Sequence, residues 1–187
     1  RGFEEDGQAR AAEAQREGKA FYVGILDLDK FKSINDFFGH EAGDKTLQIL
    51  GRFVSRPTER IARIGGEEFG VLMQHDATEE DLQGFTKRLQ GFVKTESRKL
   101  FQTFEKSPES EVEVRPDVLT LSVGFALHEP SDQDTKNSIE DTIKRADFAA
   151  YYSKTHGRDM AALALPGQDG NLEFKPLQKI EQTVEAA

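Results

Sequence analysis

Three carboxylates stand where a buried run ends or the chain reverses. Asp27 closes the apolar run Phe21-Tyr22-Val23-Gly24-Ile25-Leu26, and Glu67 and Glu68 follow Gly65 and Gly66 between two short apolar segments, 61–64 and 69–73. If those strands are neighbours, the three acids converge at one edge of a sheet. Oxygen donors with no cysteine and few, scattered histidines suit Mg²⁺ or Mn²⁺ rather than zinc, and Mg²⁺ typically bridges a few carboxylates to substrate phosphates. The set points to phosphoryl-transfer chemistry. Gly65 and Gly66 admit positive backbone dihedrals and leave a triphosphate room to lie against the turn.

Each feature also has a plainer reading. A Gly-Gly turn followed by acids is the pattern of an ordinary hairpin with solvated glutamates. Asp27 alone is a strand-end residue capping the next turn, and Lys32, Asn35, His40 and Asp44 are singly loop polars or helix caps.

The elements that must position these residues follow from periodicity. Residues 3–19 are rich in Ala, Glu, Gln and Arg and stop at Gly18, which predicts a helix. The run 21–28 reads as a central strand buried on both faces. Residues 41–54 have helical spacing up to Pro57, 61–64 and 69–73 form a hairpin, and 79–100 return to a helical period. The charged stretch 95–117, with Pro108 and Pro116, reads as a frayed helix end and an insertion-like loop. A strand over 118–127 and a helix over 138–153, with Ile139, Ile143, Ala146 and Ala150 on one face and Gly157 closing it, come next. Residues 161–165 are predicted as a last edge strand, and 166–187 as a linker with a weak amphipathic helix. This order implies an α+β sandwich, a mainly antiparallel sheet flanked by helices.

At 187 residues one domain is expected. The net charge of −9 argues against binding a nucleic acid polymer, which needs a cationic contact face, but leaves room for a local cationic pocket. No apolar run is long enough to span a bilayer, so no membrane contact is expected. The cysteine-free composition permits a reducing cytoplasm, the expected location. Any sensor or membrane-anchored portion of a larger protein lies outside this chain.

Taken jointly, the residues resemble the GGDEF family. Asp27-Leu28-Asp29-Lys30-Phe31-Lys32-Ser33-Ile34-Asn35-Asp36, then Gly39-His40 and Gly43-Asp44, are similar to its first signature. Arg63-Ile64-Gly65-Gly66-Glu67-Glu68-Phe69 resembles the name-giving turn in its Glu-Glu form. Ser122-Val123-Gly124, Arg145-Ala146-Asp147, Tyr151, Lys154 and Gly157-Arg158 look like its later strand and final helix.

The resemblance implies a nucleotide-cyclase, ferredoxin-like core whose hairpin carries the turn, with residues 1–165 as the catalytic domain and 166–187 as a tail. It implies that Asp27, the Leu28 carbonyl and Glu67 hold Mg²⁺, with Glu68 completing a two-metal site. Asn35 and Asp44 would read guanine, His40 would share the pocket, and Lys32, Lys154 and Arg158 would neutralise the triphosphate. The implied reaction joins two GTP into cyclic di-GMP, with Glu67 assisting deprotonation and Lys32 also in the catalytic set. Each domain would hold one GTP, so a second GGDEF domain is the implied partner, in a homodimer that is at least transient. The isolated chain, without a sensor or coiled coil, is expected to be largely monomeric and slow.

Two departures accompany the resemblance. The family's product-inhibition pattern Arg-x-x-Asp corresponds here to Arg56-Pro57-Thr58-Glu59, a degenerate form. Arg1-Gly2-Phe3 resembles the end of the family's opening segment, so an N-terminal truncation is expected. The alternative is a catalytically silent domain that binds GTP or cyclic di-GMP as a regulatory module.

Overall fold

A computed structural model describes residues 2–130, 135–167 and 170–177. The elements run α1 (Phe3–Glu17), β1 (Phe21–Leu28), α2 (Phe31–Phe38), α3 (His40–Gly51), β2 (Glu59–Gly65), β3 (Glu68–His75), α4 (Glu79–Phe101), β4 (Leu121–His128), α5 (Thr135–Thr155), β5 (Ala161–Pro166) and β6 (Leu172–Pro176). The strands form one sheet in the order β2-β3-β1-β4-β5-β6. β1 pairs antiparallel with both β3 and β4, and only the β4–β5 pairing is parallel among the described strands. The expected α+β architecture is therefore present.

Because side chains alternate along a strand, β1 feeds two cores. Leu26 and Leu28 join α2, α3 and α4 in one buried cluster, whereas Phe21, Val23 and Ile25 join α1 and α5 in another. The second layer is drawn in closely at Gly124, where a Cβ would lie 2.0 Å from the Ala150 amide nitrogen and 2.1 Å from the Ala146 carbonyl oxygen. The backbone of α5 rests on β4 there, and Lys154, one turn beyond Ala150, is carried to the end of β1.

The structure corrects the expected elements in several places. The segment around Lys32 and Asn35 is a helix, α2, which buries Phe31, Ile34, Phe37 and Phe38 on one stripe and is separated from α3 by Gly39 at φ +90°. α3 ends at Gly51 rather than near residue 54, and β4 begins at Leu121 rather than 118. β5 is not an edge strand, because β6 pairs along its outer side, within the stretch expected to be linker. The stretch 166–187, expected to hold a linker and a weak amphipathic helix, lies in part outside the described residues, at 168–169 and 178–187. The stretch expected to fray from residue 95 stays helical through Phe101, and the irregular loop begins only after it. Arg115 pins that loop by donating to the Phe101 and Phe104 carbonyls at 2.7 and 3.0 Å, and its guanidinium lies over the Phe38 ring.

Candidate active site

Strand register brings the acids together. Asp27 is opposite Glu68 on β3 and Ser122 on β4, and Glu67 is at the hairpin tip one residue before Glu68. Gly66 takes φ +51°, and Arg63 donates to its carbonyl from Nε at 3.0 Å and Nη2 at 2.7 Å, which fixes the tip. A Cβ at Gly65 or Gly66 would meet nothing within 4 Å, so the turn faces open space.

Asp27 is 5% exposed and forms an ion pair with Lys154 Nζ at 2.6 Å. Burial pushes its carboxyl from 3.8 up to about 6; Lys154 opposes the rise, while Glu67 and Glu68 add repulsion. A carboxylate crowded by like charges is one that a divalent cation would relieve, and the donors are the hard oxygens that Mg²⁺ or Mn²⁺ prefers. By donor chemistry the residues fit such an ion. Among the described residues, however, no three His, Asp or Glu side chains are gathered into a metal-binding group, and the Asp27 carboxylate faces Lys154. The Leu28 side chain is buried among the α2–α4 core residues, so only backbone groups remain for it to offer.

The guanine candidates lie on the other side of the sheet. Asn35 on α2 packs against Gly43 on α3 so closely that a Cβ there would lie 1.8 Å from Asn35 Oδ1. Asp44, the next residue, is exposed at the rim of a cavity of about 590 Å³ walled by Leu47, Ile61, Arg63 and Phe69. Lys32 and His40 are exposed on α2 and α3, and neither has a hydrogen bond or ion pair to the three acids. The structure thus brings Asp27 together with Glu67, Glu68 and Lys154, sets Asn35 against Gly43, the residue before Asp44, and shows no bond from Lys32 or His40 to the acids among the described residues.

Arg158 lines a separate cavity of about 530 Å³ with Asp29 and Lys30. It sits in a strained corner: Gly157, Arg158 and Asp159 have φ of 120°, 62° and 50° in succession. The corner is tied down by residues that sequence reasoning did not single out. Lys94 on α4 forms an ion pair with the Asp159 carboxylate, and the Asp159 amide donates to Asp29 Oδ2 at 3.1 Å. Buried Asp29 also accepts from the Thr120 and Ser122 hydroxyls, each at 2.7 Å. With neutral donors around it, Asp29 is a structural staple. The position two residues after Asp27 on the same signature was the available signal, but not for this role.

At the degenerate product-site positions, Arg56 is exposed and Glu59 is buried. Both Glu59 oxygens are engaged within the chain, one by the Arg56 amide at 2.9 Å and the other by Arg88.

The sequence pattern described as "Diguanylate cyclase, GGDEF domain" matches residues 1–160. Diguanylate cyclase DgcP of Pseudomonas aeruginosa is 34% identical over 160 residues, 84% of this chain and 21% of DgcP. Cyclic di-GMP phosphodiesterase NbdA of the same organism is 36% identical over 147 residues, 77% of this chain and 16% of NbdA. The chain thus spans about a fifth or less of the length of these curated relatives. Among solved structures, the GGDEF domain of DgcB from Caulobacter crescentus, in complex with c-di-GMP, aligns with a TM-score of 0.64 at 27% identity, covering 84% of this chain and 85% of that one. The family match spans residues 1–160, most of the chain, and the chain belongs to the GGDEF-domain family of diguanylate cyclases.

Proposed function

We propose that the chain is a diguanylate cyclase catalytic domain, residues 1–165, that condenses two GTP into cyclic di-GMP and two pyrophosphates where two such domains meet. The observation that carries this reading is the register of Asp27 against Glu68, with Glu67 at the adjoining tip and Lys154 alongside. Asp27, the Leu28 carbonyl, Glu67 and Glu68 are the donors for Mg²⁺ or Mn²⁺, which when bound stabilises charge on the attacking and departing oxygens. Asn35 and Asp44 hold the guanine edge, since a carboxylate accepts from its N1–H and exocyclic amine and Asn offers both a donor and an acceptor. His40 borders that pocket. Lys154, Arg158 and Lys32 neutralise the triphosphate.

In each of two steps the 3′-oxygen of one GTP bonds to the α-phosphorus of the other. The bond from that phosphorus to pyrophosphate breaks, and the hydroxyl proton passes to Glu67 and then to water. Half-buried at the tip, one residue before Glu68, Glu67 is the base this reading assigns. Because Glu59 is committed to Arg88, only a weak form of product inhibition through Arg56 fits. A cytoplasmic setting, where GTP is available, suits the reading.

A silent, nucleotide-binding module is the second reading, favoured by the Lys154–Asp27 pair and by a family relative named for phosphodiesterase activity. Incubating an artificially dimerised form with GTP and Mg²⁺, followed by chromatography, separates the two. Cyclic di-GMP is expected, with product lost in Glu67→Ala and Asp27→Ala. GTP binding without product would establish the silent module instead.

A further inference from the structure

Phe148 and Tyr151 are 55% and 66% exposed and lie three residues apart on α5, so both rings emerge from one side of the helix. Large aromatic side chains left in water forgo the burial that usually places them. These two help to wall a cavity of about 300 Å³ that Asp27, Glu68, Asp147 and Lys154 also line. Aromatic walls and a few convergent polar groups are the usual makeup of a small-molecule site.

The cavity is not where this chain's own guanine fits. Asp27 follows Ile25 by two residues on β1 and therefore faces the α1 and α5 layer, as its pairing with Lys154 shows. The cavity at Asp44 is walled by Ile61 and Phe69, which pack with the α2–α4 layer across the sheet. In the cyclase reading, a nucleotide read by Asn35 and Asp44 brings its triphosphate to the acids and Lys154 at the adjoining ends of β1 and β3, and the Phe148 and Tyr151 rings stay exposed beside it. The same reading requires a second sugar beside the acids, because its 3′-oxygen must reach the α-phosphorus held there, and this cavity adjoins them.

We infer that the Phe148–Tyr151 cavity is the subsite for the ribose of the second GTP, presented by a second copy of this chain. The rings pack on the C–H face of the sugar, and Asp147 accepts from a sugar hydroxyl. Holding the nucleophile in place is worth far more than the contacts themselves, since orientation removes much of the entropic barrier. The inference rests on the cyclase reading.

The test uses the whole chain fused to a dimerising coiled coil, so that association is not limiting. The Phe148→Ala/Tyr151→Ala variant is expected to lose roughly tenfold or more of its cyclic di-GMP turnover at saturating GTP. Its melting temperature and its affinity for a non-hydrolysable GTP analogue should stay at parental values. Phe148→Tyr/Tyr151→Phe, which keeps both rings, should retain turnover. Parental turnover in the double-alanine fusion would overturn the subsite, and so would a defect confined to the unfused chain, because the rings would then serve association alone. A parental fusion that makes no product overturns the cyclase reading itself, so the two failures are distinct.

Discussion

Two buried carboxylates sit two residues apart and have opposite surroundings. Asp29 is satisfied by hydroxyl and amide donors, whereas Asp27 is desolvated beside Glu67 and Glu68 with Lys154 as its counter-charge. Displacement of the Asp27 carboxyl from 3.8 to about 6 corresponds to about 3 kcal/mol against its charged form. Its folded value is the higher one, so this group contributes most stability below the unfolded value of 3.8 and loses that contribution as pH rises through about 6. Asp27→Asn, which can still accept from Lys154, is therefore expected to raise the metal-free melting temperature at pH 7–8 by about 5 °C. The gain should shrink toward pH 4, while cyclic di-GMP formation is lost. Melting curves at several pH values check this; a lower melting temperature at pH 8 would show that the ion pair outweighs desolvation. At this scale the meeting of Asp27, Glu67 and Glu68 was legible, because they lie in short contiguous signatures. Asp29's role was not, since its donors are 91 to 130 residues away in sequence.

Elements differ in how far their own residues determine them. The stripe Phe31, Ile34, Phe37, Phe38 was a readable helical signal for α2, masked by the polar candidates between its members and by a length of only eight residues. β6 had no comparable signal. It is five residues long, and its strand form depends on pairing with β5, on Phe174 stacking against Tyr152 and on Lys175 reaching Glu79 at 2.7 Å. The corner after α5 likewise depends on a distant element. Left-handed backbone at Arg158 and Asp159 costs about 1 kcal/mol or more per residue, and Lys94 on α4 helps to hold it. In the cyclase reading, Lys94→Met loosens the corner that aims Arg158 at the triphosphate. The expected result is a KM for GTP raised several-fold with kcat little changed, as for a lost uniform binding interaction. Lys94→Arg should restore KM. Because the pair is about one-third exposed, the stability change should be under about 1 kcal/mol. Steady-state kinetics with a melt decide it: an unchanged KM would remove Lys94 from any positioning role.

For the molecule as a whole, the two-layer arrangement sends Asp44 to one side of the sheet and Asp27 with Phe148 and Tyr151 to the other. Layering of this kind was legible only as a class, since the strand order and the facing of each cavity arise from pairings between distant segments. In the cyclase reading one copy offers half of the reacting assembly, and two copies of net charge −9 must approach each other. Like-charged bodies repel over a screening length of about 10 Å at 0.1 M salt, and longer when dilute. At saturating GTP and low protein concentration, turnover per chain should therefore rise with protein concentration. It should also rise as NaCl goes from about 20 to about 150 mM, the reverse of a reaction limited by cationic capture of the nucleotide. A coiled-coil fusion should abolish both dependences. Initial rates across a dilution series at two salt concentrations provide the measurement; rates strictly proportional to protein, or falling with salt at saturating GTP, would mean that the encounter of two copies does not limit the reaction.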